Sequence, residues 1–298
     1  MRTRILYTDG KGSFVETGWN KPDPTADEIE VKAVMTGVCR SDIDMMTGKF
    51  GPLPIEMSGH EGIGQVTKVG ANVLGVAPGD YVATRGEPAY SDYYNVRKNE
   101  YVKVPEAHPR YIMEPVACGY NIIMQEYDAI KKQSGEGKRL LILGSGFLAW
   151  VAYNALLIEK LKFNIDVVGS NNQAVWGDCL KNKPSGQYDV VINLNSMTDV
   201  FDGDVLQDNA LVIMGSQTKV TTDFSQLLWK ACTMIFPSPR NPNFHLVMAR
   251  AEFWLSKGAI KVDHFWSKAY NRDTEWQQAF ADGVNRPSGY SRGYIKWD

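Results

Sequence analysis

At 298 residues the chain has room for two domains rather than one. Hydrophobic residues make up 44% and charged residues 22%, a globular composition that excludes a disordered chain. A net charge of −2 provides no overall field to draw the protein onto nucleic acid or an anionic membrane. Cys39, Cys118, Cys179 and Cys232 lie far apart with no CxxC pair, which argues against a disulfide framework and for a reducing, cytoplasmic setting. The N-terminal "MRTRILYTDGKGSF" has no long apolar core, so no signal peptide is read there. The longest apolar runs, such as "AWVAYNALLI", reach about half of the roughly 20 residues a membrane span requires, so a soluble protein is expected.

Up to about residue 110 the chain reads as short strands between glycine and proline turns. "EIEVKAVMTGV", "GIGQVTKVG" and "DYVATRG" are the clearest of them, and together they predict a compact β domain. In "MEPVACGYNIIMQEYDAIKK" the period changes. Val116, Tyr120, Ile123, Tyr127 and Ile130 recur at helical spacing, and Pro115 suits a first helical turn. "KRLLILGSGFLAWVAYNALLIEKL" then reads as strand, glycine turn and helix. "FNIDVVGSN", "YDVVINL" and "NALVIMGS" follow as short buried strands, the pattern of a parallel sheet with crossover helices. "NFHLVMARAEFWLSKG" is a further helix and "SRGYIKWD" a closing strand. Only 18 residues separate Gly169 from Tyr188. That interval admits one helix but not helix, strand and helix, because one crossover alone takes about 10–12 residues. A trimmed sheet is expected.

"LILGSGFLA" places Gly144, Gly146 and Ala149 as G-x-G-x-x-A after a buried strand and at the start of a helix. Gly144 would permit the tight turn, Gly146 the approach of a pyrophosphate, and Ala149 close helix–strand packing. The helix N-terminus would offer its N–H groups to the phosphates. The plainer reading is a turn that binds nothing. The second strand ends in Ser170, Asn171 and Asn172, with no acid to repel a 2′-phosphate, so NADP(H) is favoured over NAD(H). A polar turn with no cofactor role is the alternative.

The stretch from Met35 to Gly62, "MTGVCRSDIDMMTGKFGPLPIEMSGHEG", contains Cys39 and His60, each close to an acidic residue. A catalytic zinc takes three protein ligands and keeps one position open. Cys39, His60 and Glu114 form the candidate set, and Glu114 lies where the β region meets the nucleotide-binding region. Singly, Cys39 reads equally as a small buried hydrophobe, His60 as a bonded core histidine and Glu114 as an N-terminal partner of its helix.

"GHEGIGQVTKVGANV", with Gly59, His60, Glu61, Gly64 and Gly70, resembles the zinc signature of the medium-chain dehydrogenase/reductase superfamily, and "CRSD" is similar to that family's Cys-Arg-Ser/Thr-Asp run. The resemblance spans nearly the whole chain. It implies an α/β protein with a GroES-like β-rich catalytic domain, residues 1–114 completed by 240–298, and a shortened Rossmann cofactor-binding domain, residues 115–239. It further implies that Cys39, His60 and Glu114 bind one catalytic zinc, with Glu61 as an exchangeable ligand or a support, and that Asp42 orients His60. Ser41 would pass the substrate proton outward, with Asp44 as a next station. Arg40 and Arg292 would neutralise the pyrophosphate, Cys118 and Leu148 would flank the nicotinamide, and Gly144, Gly146, Ser170 and Asn171 would hold the rest of the cofactor. The family's four-cysteine lobe is missing from "EPAYSDYYNVRKNE", so no structural zinc is expected.

The activity so implied is hydride transfer between a nicotinamide cofactor and an alcohol, polyol or sugar hydroxyl, or the matching carbonyl, in a homodimer or homotetramer with no nucleic-acid or membrane partner. A metal-free enone or quinone reductase of the same superfamily and a non-catalytic dinucleotide-binding protein are the alternatives. A protein-interaction module would need a basic or apolar recognition face that the sequence does not show. The "KFGPLP" and "YSDYY" segments are candidate walls of a substrate pocket, though the "YSDYY" aromatics read equally as surface packing.

Overall fold

The computed structural model describes residues 1–170, 173–195, 205–216 and 224–297. It divides into two compact units, Met1–Ala117 with Met248–Asp298, and Cys118–Val247.

In the first unit β1 (Arg2–Tyr7) and β2 (Val15–Asn20) form an antiparallel pair. Strands β3 (Glu28–Gly37), β4 (Gly62–Val69), β5 (Tyr81–Thr84), β6 (Tyr93–Arg97) and β7 (Tyr101–Val104) join two late strands, Trp266–Asn271 and Arg292–Lys296, in a seven-stranded sheet. Its order is Trp266–Asn271, Arg292–Lys296, β3, β4, β5, β7, with β6 paired to β3. The alternation read in "EIEVKAVMTGV" holds in β3 for Ile29, Val31 and Ala33, which are buried, and Lys32, which is exposed, whereas Glu30 is buried between Ile29 and Val31. The core gathers Leu6, Phe14, Ile29, Val31, Tyr90, Tyr94 and Phe280. Tyr90 and Tyr94 are fully buried, so "YSDYY" builds the interior of this unit and not its surface. A Cβ at Gly62 would lie 2.3 Å from the Tyr94 hydroxyl and 2.6 Å from Thr84 Oγ1, which is why β4 opens on glycine.

The second unit holds a six-stranded sheet. β8 (Arg139–Leu143), β9 (Asn164–Val168), β10 (Leu180–Lys181), β11 (Tyr188–Asn193), β12 (Leu206–Met214) and β13 (Thr233–Ile235) run in the order β10-β9-β8-β11-β12-β13, every pair parallel. That is the doubly wound dinucleotide-binding order. β8 and β11 read as continuous apolar runs because both of their faces are covered. The interval after Gly169 departs from the expected single helix. It contains a four-residue helix (Gln173–Trp176), one 3-10 turn (Gly177–Cys179) and the two-residue β10, with no second helix before β11. The sheet keeps its third strand by shrinking both the strand and its crossovers, since two residues suffice to pair with Val167 and Val168. The helical stretch beginning at Met113 is two helices, Met113–Met124 and Tyr127–Gln133. Among the described residues no helix is long and apolar enough to cross a membrane.

Candidate functional site

Cys39 sits at the end of β3 and directly precedes helix α1 (Arg40–Met46), while His60 and Glu61 lead into β4. β3 and β4 are antiparallel neighbours, with Thr36 opposite Gly62, so their adjacent ends bring residues 39 and 60 together. A sulfur of Cys39, a ring nitrogen of His60 and a carboxylate oxygen of Glu61 lie within 4.8 Å of one another. Cys39 and His60 are half-buried and Glu61 is buried.

Asp42 stands behind it. Its Oδ2 accepts from the backbone N–H of Cys39 at 2.8 Å and from the Tyr90 hydroxyl at 2.7 Å. Its Oδ1 has no hydrogen-bond partner among the described residues and faces Nδ1 of His60 at 3.5 Å. Nε2 on the other side of the ring lies 3.3 Å from Ser41 Oγ. Glu61 is gripped by Nη2 of Arg292, which touches both of its oxygens, and the Arg292 guanidinium lies 5.0 Å over the Trp266 ring. Glu114, in the first turn of the helix from Met113, is buried, and its charge acts on both His60 and Arg292.

The electrostatics are those of crowded anions. Burial drives the Cys39 thiol up, and Glu61 adds to it. Burial likewise raises the Asp42 carboxyl. For His60 burial opposes the charged form, yet Asp42, Cys39 and Glu114 outweigh it and raise the imidazole well above its usual range. Four groups able to carry negative charge (Cys39, Asp42, Glu61 and Glu114) surround one imidazole and one guanidinium. A thiolate, an imidazole and a carboxylate form a donor set suited to zinc, and a divalent cation would let these groups ionise together. With the unsatisfied Asp42 Oδ1 aimed at the far nitrogen of His60, the residues present fit such an ion.

The other sequence-derived candidates fall into place as follows. Glu61, expected as an exchangeable ligand or a support, is the carboxylate of the tight cluster, and Glu114 acts on the cluster through its charge. Asp44, on α1, is buried with Oδ2 2.9 Å from Lys49 Nζ and Oδ1 3.4 Å from Arg40 Nε. Arg40 is exposed.

In the second unit Gly144 has φ 117°, open to glycine and strained for other residues. Gly146 caps the helix Phe147–Ile158, and a Cβ there would meet nothing within 4 Å. The Ser145 carbonyl accepts from Nε1 of the buried Trp176 at 3.1 Å. Leu148 lies in the first turn of that helix. A Cβ on Gly119, next to Cys118 in the chain, would lie 3.2 Å from the Leu148 carbonyl. Ser170 is exposed, and Asn171 lies outside the described residues.

Tyr90 and Trp176 are the residues that reading the sequence missed. The "YSDYY" run reads as a candidate pocket wall or as surface packing, and nothing in it signals a hydroxyl reaching 48 positions back to Asp42.

Residues 25–108 match the alcohol dehydrogenase GroES-like domain. An NAD-dependent alcohol dehydrogenase of Sulfurisphaera tokodaii is 27% identical over 220 residues, 60% of this chain and 60% of that protein's length. A thermostable alcohol dehydrogenase of Pyrobaculum aerophilum superposes over 100% of both chains at TM-score 0.81 and 15% identity. A short chain alcohol dehydrogenase of Escherichia coli, solved with NADH, does so over 99% of both at 0.82 and 16%. Residues 25–108 therefore resemble an alcohol dehydrogenase GroES-like domain, and the chain shares the fold of these solved dehydrogenases.

Proposed function

We propose that the protein is a zinc-dependent oxidoreductase that moves a hydride between a nicotinamide cofactor and an alcohol, polyol or sugar hydroxyl, or the matching carbonyl. The observation that carries this reading is the Cys39–His60–Glu61 cluster within 4.8 Å, backed by Asp42. Catalytic work falls to residues 1–114 with 240–298, and cofactor binding to 115–239. Cys39 and His60 would hold the ion, with Glu114 or Glu61 as the carboxylate ligand. Zinc, when bound, supplies Lewis acidity that lowers the pKa of a substrate hydroxyl.

The chain's own residues do the rest. Asp42 fixes the ring of His60 so that Nε2 faces the cluster. Ser41 Oγ, beside that nitrogen, takes the hydroxyl proton and passes it outward. Arg292 bonds Glu61 and, with Arg40, supplies positive charge for the pyrophosphate. Gly144 and Gly146 let the phosphates approach the helix N-terminus, and Cys118 and Leu148 flank the nicotinamide. The absence of an acid after β9 supports NADP(H) over NAD(H), with Ser170 and Asn171 at the ribose. The missing four-cysteine segment supports one zinc per chain. A cytoplasmic setting is supported by four cysteines with no disulfide among them. A homodimer or homotetramer completes the proposal.

The test is metal analysis of purified protein together with a panel of alcohols, polyols and sugars, following absorbance of the reduced nicotinamide with each cofactor. One equivalent of zinc and turnover with at least one substrate are expected. Cys39→Ser should lower turnover by at least about 100-fold with cofactor binding intact. Zinc-free protein that reduces enones or quinones would point to the metal-free reductase. Retained turnover in Cys39→Ser would contradict the reading outright.

A further inference from the structure

Tyr90 is buried at a convergence of the elements that present Cys39 and His60, and no step of the proposed reaction uses it. Its backbone N–H donates to the Ser58 carbonyl at 3.1 Å, and the preceding Ala89 N–H donates to the Gly59 carbonyl at 3.0 Å, so Tyr90 is bound to the turn that leads into His60. Its ring lies against that turn. Gly59 has φ +76°, and a Cβ there would come 2.6 Å from the ring. On the opposite side the ring meets Phe14 and Phe280 edge-on, with centroids at 5.7 and 5.3 Å, so it has no room to swing.

The hydroxyl then reaches the other half of the site. It lies 2.7 Å from Asp42 Oδ2 and 3.0 Å from the Gly37 carbonyl. A phenol has one proton, and the shorter, charge-assisted partner is the carboxylate. Asp42 Oδ2 is thereby held by two donors, the Tyr90 hydroxyl and the Cys39 N–H. The carboxylate cannot rotate without breaking both, so its Oδ1 stays directed at Nδ1 of His60, where no other group bonds it.

We infer that Tyr90 is a positioning residue for the cation site, acting through Asp42 to set the ring of His60 and the start of α1 after Cys39. The inference rests on the reading of Cys39 and His60 as cation ligands. It extends that reading to a buried phenol that touches neither. Outer-shell partners of ligating histidines typically govern metal affinity by about 10- to 100-fold.

The test measures the zinc Kd of the full-length protein by competition with a chromophoric chelator, and the cobalt(II) d–d spectrum of the same variants. Tyr90→Phe keeps the ring and removes the donor; its zinc Kd should rise at least about tenfold and its cobalt bands should shift. Tyr94→Phe removes another buried phenol, bonded to Thr84 Oγ1 at 2.9 Å, and should leave both readouts unchanged. In an Asp42→Asn background Tyr90→Phe should add no further loss, because the two act in series. Site-specific 3-fluorotyrosine at position 90 folds as the parent side chain does and donates more strongly, so it should shift the zinc Kd even if Tyr90→Phe is insoluble. An unchanged Kd in both position-90 variants, or an equal loss with and without Asp42, overturns the inference. Wild-type protein that binds no zinc overturns the reading of Cys39 and His60 beneath it, a result distinct from either.

Discussion

Lys21 and Glu30 show how far one buried charge depends on another. The Lys21 side chain is wholly buried, and its ammonium contacts Glu30 Oε2 at 2.7 Å, Asn95 Oδ1 at 2.8 Å and the Pro22 carbonyl at 2.8 Å. Glu30 also accepts from Thr67 Oγ1 and Lys68. Burial alone would raise its carboxyl, but Lys21, Thr67 and Lys68 hold it below the usual carboxylate range. Lys21→Met should therefore cost on the order of 3 kcal/mol in denaturant unfolding, mostly by stranding the carboxylate. Adding Glu30→Leu should recover much of that loss. A single-mutant cost below about 1 kcal/mol, the range of an exposed pair, would show that the pair is not sealed from water. Alternation with Ile29 and Val31 marks Glu30 for the same outward face as the exposed Lys32, so its burial was not readable from the sequence. Cys39 and His60 were readable, because two scarce residue types share one glycine-flanked stretch. Tyr90 was not, since its hydroxyl acts on a residue 48 positions away and its ring resembles any other core aromatic.

The strand, glycine turn and helix of residues 139–158 were legible almost residue by residue. Their signals are local: an apolar run, a glycine that must take φ 117°, and helical spacing. What folding adds is the difference between the two faces of the turn. A Cβ on Gly169 would lie 2.8 Å from the Ser145 backbone nitrogen, whereas a Cβ on Gly146 would meet nothing within 4 Å. Gly169 is thus needed for packing, and Gly146 is free to serve a ligand. Gly146→Val should cost about 1 kcal/mol in thermal unfolding, as for the loss of a favourable N-cap, while raising the cofactor Kd at least tenfold. Titration of protein fluorescence with NADPH, next to a thermal melt, checks both; unchanged cofactor binding would remove the turn from the site. The next element was less legible. Eighteen residues after Gly169 were expected to hold one helix, and they hold a shortened helix and a two-residue strand. A strand that short has no periodicity to read and exists only because β9 offers it an edge.

At the scale of the whole molecule, acid should destabilise both units. In the first, burial would raise Asp282, but bonds from Lys268, Tyr270 and Gln278 hold it below its ordinary value near 3.8. In the second, burial of Asp189 is outweighed by the Arg139 N–H and Lys138. A carboxyl lowered by folding contributes stability above its unfolded pKa and loses it as pH falls through the folded value. Melting temperature should therefore hold steady above about pH 5 and fall from about pH 4 downward. Asp282→Asn should be less stable at neutral pH and should show a shallower fall in acid. A melting temperature that is flat from neutral pH to about pH 3 would contradict the assignment.

The order of the elements, the β-rich start, the parallel sheet and the glycine turn were determined by the sequence alone, because they arise from patterns spanning a few residues. So was the pairing of Cys39 with His60 as candidates, through motif spacing. Which carboxylate stands closest to them was decided only by the tertiary structure. Glu61 reaches the cluster because β3 and β4 align residue 36 opposite residue 62, and Glu114 acts on it through its charge. The same holds for Tyr90 beneath Asp42: a contact between distant strands depends on sheet register and ring packing, which no local pattern encodes.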